Sequence, residues 1–391
     1  MTPADLVSSI GPKVPLRAPE SPGHRRVTQR LTLVDGLRGL AAVAVLFDHL
    51  PGMFGNPQAI SATTQAVLLT WGYFGQLGVD VFFVLSGFVI TLSIANSKIN
   101  WRYWLRFAAR RSLRLDPPYW ACLAICCGLL IVRRGLFDSA VELPIPKQIA
   151  AHLIYLQGLL HYPQINSVFW TLCIEFQLYL AFCALVGVLQ VVGTARDPAR
   201  RCAWGIFIIF ILSLAWPAMR ISAATDRTTL FPFACEFLSG SLAYWVWVGR
   251  LPAPVAIGGI VSLIALGLLT GNPYVVTAGS TALLLVAASL RGKFTSWLSG
   301  AIFQRLGRIS YSLYLVHVPT FSVVLALRTR LPRGESEPVA WVLCLVALGG
   351  VLVVASVFYV LVERPAMNLS HKLSLAPATR PQVAGRGALE V

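Results

Sequence analysis

Apolar residues fill this chain in long runs separated by short charged clusters. Runs long enough to cross about 30 Å of hydrocarbon lie roughly at 37–54, 73–95, 117–133, 168–192, 203–221, 229–248, 254–270, 274–290, 308–327 and 338–362. That pattern predicts an all-α polytopic membrane protein with about ten transmembrane helices. A further stretch, 147–160 (KQIAAHLIYLQGLL), is shorter and carries His152 and Gln157.

Composition agrees. Charged residues make up 12% of the chain and hydrophobic ones 56%, whereas soluble domains are roughly a quarter charged. The net charge of +16 suggests a nucleic-acid partner only until the charges are placed. They sit between apolar runs, so they report orientation, and no nucleic acid is expected. With the N-terminus inside, 24 of the 32 basic residues fall on inner segments, and the loop 55–72 holds none. Both termini are then cytoplasmic. Arg196, Arg200 and Arg201 must also lie inside, so 117–133 exits and 168–192 re-enters from outside. The stretch 147–160 therefore cannot cross, and reads as a re-entrant or interfacial helix. Residues 1–30 and 370–391 read as disordered cytoplasmic tails flanking one domain, 31–369. The eight cysteines lie in or beside apolar runs without CxxC spacing, and no metal site is expected.

An ionisable side chain at mid-membrane costs roughly 2.5–3.5 kcal/mol on insertion scales, which makes such residues functional candidates. Arg38 and His49 are eleven residues apart, so on a helix they return to within about 20° of one face, about 16 Å apart along the axis. A cation near the inner surface and a deeper proton acceptor share one wall. Asp80 is set either to orient a histidine or to pair with a buried arginine. The helix 101–120 presents Arg106, Arg110, Arg111 and Arg114 to the inner side, as a lipid-headgroup stripe or as a clamp for a polyanion such as the phosphates of coenzyme A. Thr171, Glu175 and Tyr179 form one polar stripe next to Trp170, and Glu175 is placed to orient a histidine, hold a sugar hydroxyl or bind helix to helix. Ser310, Tyr314 and His317 fall in a narrow sector below Pro319. Pro117 and Pro118 are expected to break the arginine helix from the span that follows.

Taken in order, LVDGLRGLAAVAVLFDHL, GQLGVDVFFVLSGF, RRSLRLDPPYW, FWTLCIEFQLYL, LGRISYSLYLVHVP and VERP resemble the membrane-bound acyltransferase family 3. These are bacterial O-acyltransferases of surface glycans, lipo-oligosaccharides and macrolides. The resemblance covers about residues 31–369. It implies a ten-span fold and acyl-CoA, used as co-substrate with no permanently bound cofactor. Its Arg-x10-His pattern falls on Arg38 and His49.

The expected reaction is transfer of a short acyl group, acetyl above all, from cytoplasmic acyl-CoA to a hydroxyl. The acceptor is a glycan, a lipid-linked oligosaccharide or a glycosylated small molecule. Arg38 and the Arg106–Arg114 row hold the donor. His49 acts as general base or as covalent relay, oriented by Asp80 or Glu175. Tyr179, Tyr314, His317 and Trp170 contact substrate. Membrane lipids are further partners, and a homodimer is left open. The rival reading is a transporter or exporter in which the buried Asp, Glu and His residues relay protons.

Overall fold

The computed structural model describes residues 22–54, 60–192, 197–219, 227–291, 298–328 and 336–373. The remaining parts of both expected tails lie outside them, as do Arg196 and Lys293. Among the described residues the elements are all helical: α1 (Pro22–His49), α2 (Ala62–Gln76), α3 (Gly78–Ile94), α4 (Trp101–Leu136), α5 (Pro146–Leu153), α6 (Phe169–Val191), α7 (Pro198–Ser213), α8 (Ala215–Ala218), α9 (Ala234–Trp247), α10 (Ala253–Thr270), α11 (Pro273–Arg291), α12 (Ala301–Arg328), α13 (Glu337–Phe358) and α14 (Arg364–Lys372), with short tighter or looser turns between some of them. Helix α1 starts at Pro22, inside the segment expected as a tail, and α14 runs to Lys372.

Eight helical stretches among the described residues are long and apolar enough to cross a membrane. The other two expected runs fall on α1, whose apolar part is interrupted by Asp35, Arg38 and Asp48, and on α9, which has only 14 residues. Every side chain of α9 from Cys235 to Val246 is buried, so it sits inside the bundle against α3, α7 and α11. The outer surface is apolar, with Leu69, Leu269, Leu345 and Leu361 each about 68–83% exposed. Without an apolar solvent this surface would drive aggregation.

Three local expectations are corrected. Helix α4 runs unbroken for 36 residues through Pro117 and Pro118. In a membrane a break in the helix would leave still more backbone groups unpaired, so the helix continues, and neighbouring side chains can pair with its backbone. Tyr311 donates to the Leu115 carbonyl at 3.0 Å, next to the Leu113 and Arg114 carbonyls that the two prolines leave without an N–H partner. The stretch 55–72, taken as a loop, contains most of α2, which starts after Ser61. The Ser61 hydroxyl accepts from the Thr64 N–H at 3.3 Å and itself donates to Glu337 at 2.8 Å. Within 147–160 only α5 is helical, and the rest turns back through Tyr155 in a left-handed conformation (φ 59°). Its polar groups are buried against the bundle. His152 accepts from the Ile165 N–H at 3.2 Å, and Gln157 donates to the Tyr119 hydroxyl at 3.3 Å.

Small residues bring the site-bearing helices together. A Cβ at Gly39 would stand 2.8 Å from the Gly307 nitrogen, and one at Gly307 would overlap the Asp35 carbonyl. Helices α1 and α12 therefore touch backbone to backbone beside Arg38. Helices α3 and α9 do the same, since a Cβ at Gly87 would overlap the Phe237 carbonyl and one at Gly240 the Val84 carbonyl. Close approach of this kind is the usual adhesive between membrane helices, where apolar surface gains nothing by leaving lipid.

Candidate active site

Packing of α1 on α12, with α3, α4 and α6 around them, leaves two adjoining cavities. Arg38, Phe82, Glu175 and Tyr311 line both. Arg111 and Arg114 from α4 join the second, so three guanidiniums meet a single carboxylate among the described lining residues. Glu175 is held in place: the Ser86 hydroxyl donates to it at 2.6 Å, and the Tyr179 hydroxyl also donates to it. Arg111 lies 5.5 Å from the centre of the Tyr179 ring and donates to the Ser93 hydroxyl at 3.1 Å. Arg38 Nε and Ser310 Oγ are buried with no hydrogen-bond partner. An unsatisfied buried donor costs about 1–3 kcal/mol, and a ligand anion in the cavity would satisfy the one on Arg38. Arg110 is directed elsewhere, toward His371 at 3.2 Å, and Arg106 is exposed.

The first cavity ends at Thr171 and Tyr314, whose hydroxyls are 2.6 Å apart. Past Tyr314 stand two imidazoles. The His49 and His317 rings meet edge to face with centroids 4.8 Å apart, and Tyr314 lies 5.8 Å from His317. Arg38 and His49 thus both face the side of α1 bounded by α6 and α12. His49 Nδ1 is 3.1 Å from the Val45 carbonyl, and His317 Nδ1 is 3.3 Å from the Leu313 carbonyl. A carbonyl accepts only from N–H, so this network assigns the proton to Nδ1 in both rings and leaves a lone pair on Nε2. The Nε2 of His49 is 3.5 Å from the Ser167 hydroxyl; that of His317 is buried without a partner. In this tautomer His317 accepts a proton or hydrogen bond and does not donate one to an oxyanion.

The structure does not bring either expected carboxylate to His49. Asp80 is 2% exposed and Glu236 4%, and the two carboxyl groups are hydrogen-bonded to each other between α3 and α9. Neither residue lines the described cavities, and no arginine pairs with Asp80 there. Glu175 faces the arginines. The Val45 carbonyl positions the His49 ring instead, and the carboxylate closest to it is its neighbour Asp48, with Oδ2 3.8 Å from Nδ1. Trp170 packs on Phe233 at 5.6 Å and carries the Arg227 guanidinium 4.9 Å above its ring.

Several contributors went unnoticed in the sequence. Glu363 of the VERP segment is buried and accepts from the Ser312 N–H at 3.0 Å and from the Ser312 hydroxyl, fixing α12 next to the cavity. Tyr311 is three residues before Tyr314, a spacing that placed it on the same face; Ser167 had no such signal. No group of three or more metal-ligating side chains is present among the described residues.

Comparison with known proteins gives this geometry its context. Residues 32–360 match the sequence model of the Acyltransferase domain family, Acyl_transf_3. The chain is 28% identical over 311 residues to the exopolysaccharide production protein ExoZ of Rhizobium meliloti, which covers 75% of this chain and 90% of that protein. It is 28% identical over 384 residues to acyltransferase MdmB of Streptomyces mycarofaciens, with 87% and 92% covered. A third relative is O-acetyltransferase OatA of Staphylococcus aureus, 23% identical over 395 residues, or 90% of this chain and 60% of the longer relative. No solved structure matches the chain. With a family model matched across most of its length, and a bundle of apolar helices carrying a histidine pair above an arginine-lined cavity, the chain belongs to the Acyltransferase domain family.

Proposed function

We propose that the protein is a bacterial inner-membrane O-acyltransferase with cytoplasmic termini. In this reading it moves a short acyl group, acetyl by preference, from cytoplasmic acyl-CoA to a hydroxyl of a glycan or glycosylated acceptor. The observation that carries the reading is the wall from Arg38 to His49, which joins a guanidinium-lined cavity to a base with an open lone pair. Guanidiniums bind phosphate oxygens in pairs of charge-assisted hydrogen bonds. Arg38, Arg111 and Arg114 accordingly take the phosphates of CoA, while Glu175 limits the net positive charge of the cavity. The pantetheine arm rises along α1 past Phe82, and the thioester passes the Thr171–Tyr314 contact to reach the histidines.

The acceptor hydroxyl then lies against His49 Nε2. His49 removes its proton as the oxygen attacks the thioester carbonyl, the carbon–sulfur bond breaks, and the proton returns to the CoA sulfur. The Val45 carbonyl holds the Nδ1 proton throughout and stabilises the imidazolium. Acyl transfer through His49 as a covalent relay uses the same lone pair. The names of two relatives, an exopolysaccharide production protein and an O-acetyltransferase, support a glycan acceptor. The transporter reading needs a proton path. Its buried carboxyl pair, Asp80 and Glu236, lines neither cavity.

The test is purified protein in lipid nanodiscs with labelled acetyl-CoA and a panel of glycans. Acceptor-dependent CoA release that vanishes in His49→Ala is the expected result. Turnover that survives that substitution, or no CoA release with any acceptor, would overturn the assignment.

A further inference from the structure

On the side of His49 away from the arginines, four helices and one turn bring together a second polar cluster that the reaction as described does not use. Asp48 lies next to His49 at the end of α1. Gln76 ends α2, Tyr274 begins α11, Trp170 begins α6, and Arg227 precedes α9. The Tyr274 hydroxyl donates to Gln76 Oε1 at 2.6 Å. The side-chain amide of Gln76 is in turn hydrogen-bonded to Asp48. Arg227 lies over Trp170 at 4.9 Å and within electrostatic reach of both Asp48 and Tyr274. Asp48 and His49 keep 23% and 25% of their side-chain surface open, while nearby α2 side chains such as Leu69 and Phe74 are apolar and 60–68% exposed.

From this placement we infer that Asp48, Gln76, Tyr274, Arg227 and Trp170 form the subsite for the acceptor's sugar, and that this sugar is a neutral, hydroxyl-rich ring. The inference rests on the acyltransferase reading and names where its second substrate binds. A carboxylate accepts hydrogen bonds from two neighbouring hydroxyls. The Tyr274 oxygen keeps lone pairs for a third, and the flat Trp170–Arg227 stack provides an edge for the ring. Charge is the deciding feature. Among the described residues one carboxylate faces one guanidinium here, so the cluster is balanced, whereas the donor cavity sets three guanidiniums against one carboxylate. A polyanion is drawn to the cavity and a neutral polyol to the cluster. Asp48 is the residue before His49, so a ring bound to its carboxylate has hydroxyls within reach of the base.

The experiment uses the full chain in nanodiscs and the methyl pyranosides of glucose, galactose, mannose, N-acetylglucosamine and glucuronic acid as probes. Equilibrium binding without acyl-CoA is measured alongside the KM values for sugar and for acetyl-CoA. Gln76→Ala and Tyr274→Phe are expected to weaken sugar binding and raise the sugar KM tenfold or more. In both variants the acetyl-CoA KM should shift less than twofold, which shows the donor cavity to be intact. Equal shifts in both KM values, no shift in either, or tighter binding of the glucuronide than of every neutral sugar would overturn the proposal. If the wild type shows no turnover, the acyltransferase reading fails, and the binding arm decides alone. Sugar binding lost in the two variants then supports the subsite, and binding that is absent or unchanged refutes it.

Discussion

The two sides of this molecule solve opposite electrostatic problems. On one, Arg38, Arg111 and Arg114 crowd around Glu175 in a cavity walled by Phe82 and Tyr311. On the other, two imidazoles pinned by backbone carbonyls sit beside one carboxylate and one guanidinium. Guanidiniums stay charged when buried, so the first side is a permanent cation. Imidazoles held by carbonyls at Nδ1 remain acceptors, so the second side offers a base. The contrast shows how one helix, α1, can serve both: its charge is at Arg38, its base three turns on, and Gly39 and Gly307 hold α12 against it at the Arg38 end.

The sharpest way to break this division is His49→Ala. A positioned general base contributes about 10²–10⁴-fold, so kcat should fall by that factor with the acetyl-CoA KM unchanged, as steady-state kinetics would show. A KM effect as large as the kcat effect would mean that His49 binds donor. Next in size is Arg38→Ala. A hydrogen bond to a charged group is worth about 1.5–3 kcal/mol, so the acetyl-CoA KM should rise roughly 10- to 100-fold with kcat little altered. Arg106→Ala, whose side chain is exposed, should change it less than about twofold. Matching losses in these two variants would return the arginine helix to a general electrostatic role. His317→Asn should lower kcat by about 2- to 13-fold, the value of a neutral hydrogen bond of about 0.5–1.5 kcal/mol, and leave the donor KM alone. The smallest effect is expected for Asp80→Asn, which keeps a hydrogen bond to Glu236 and should leave activity within about twofold. Loss of activity in correctly folded Asp80→Asn would put that carboxyl group back in the reaction.

How far the sequence carried these assignments depends on the range of the interaction. Spacing along one helix was readable: Arg38 with His49, Thr171 with Glu175 and Tyr179, and Tyr314 with His317 all share faces in the fold. Partners drawn from distant helices were not. Nothing in the local pattern says that Asp80 on α3 meets Glu236 on α9, because that pairing depends on Gly87 and Gly240 letting the backbones touch. The same holds for Glu363 and Ser312. Pro117 and Pro118 misled for another reason: the helix-breaking rule is calibrated in water, which pairs with the backbone freed at a break, whereas in a bilayer a break would leave that backbone unpaired. Length misled at α9, whose 14 residues are enclosed by protein and need not match the thickness of a membrane.

The 2.6 Å contact between Thr171 and Tyr314 has a consequence for the cell. An enzyme fed from both faces of a membrane stands close to being a channel, and an ion leak would drain the gradient on which its host depends. These two hydroxyls close the end of the arginine cavity before the histidines begin. On the acyl-CoA reading proposed above, their pairing would make ion tightness and catalysis depend on the same few atoms, with each thioester admitted briefly filling the opening it creates.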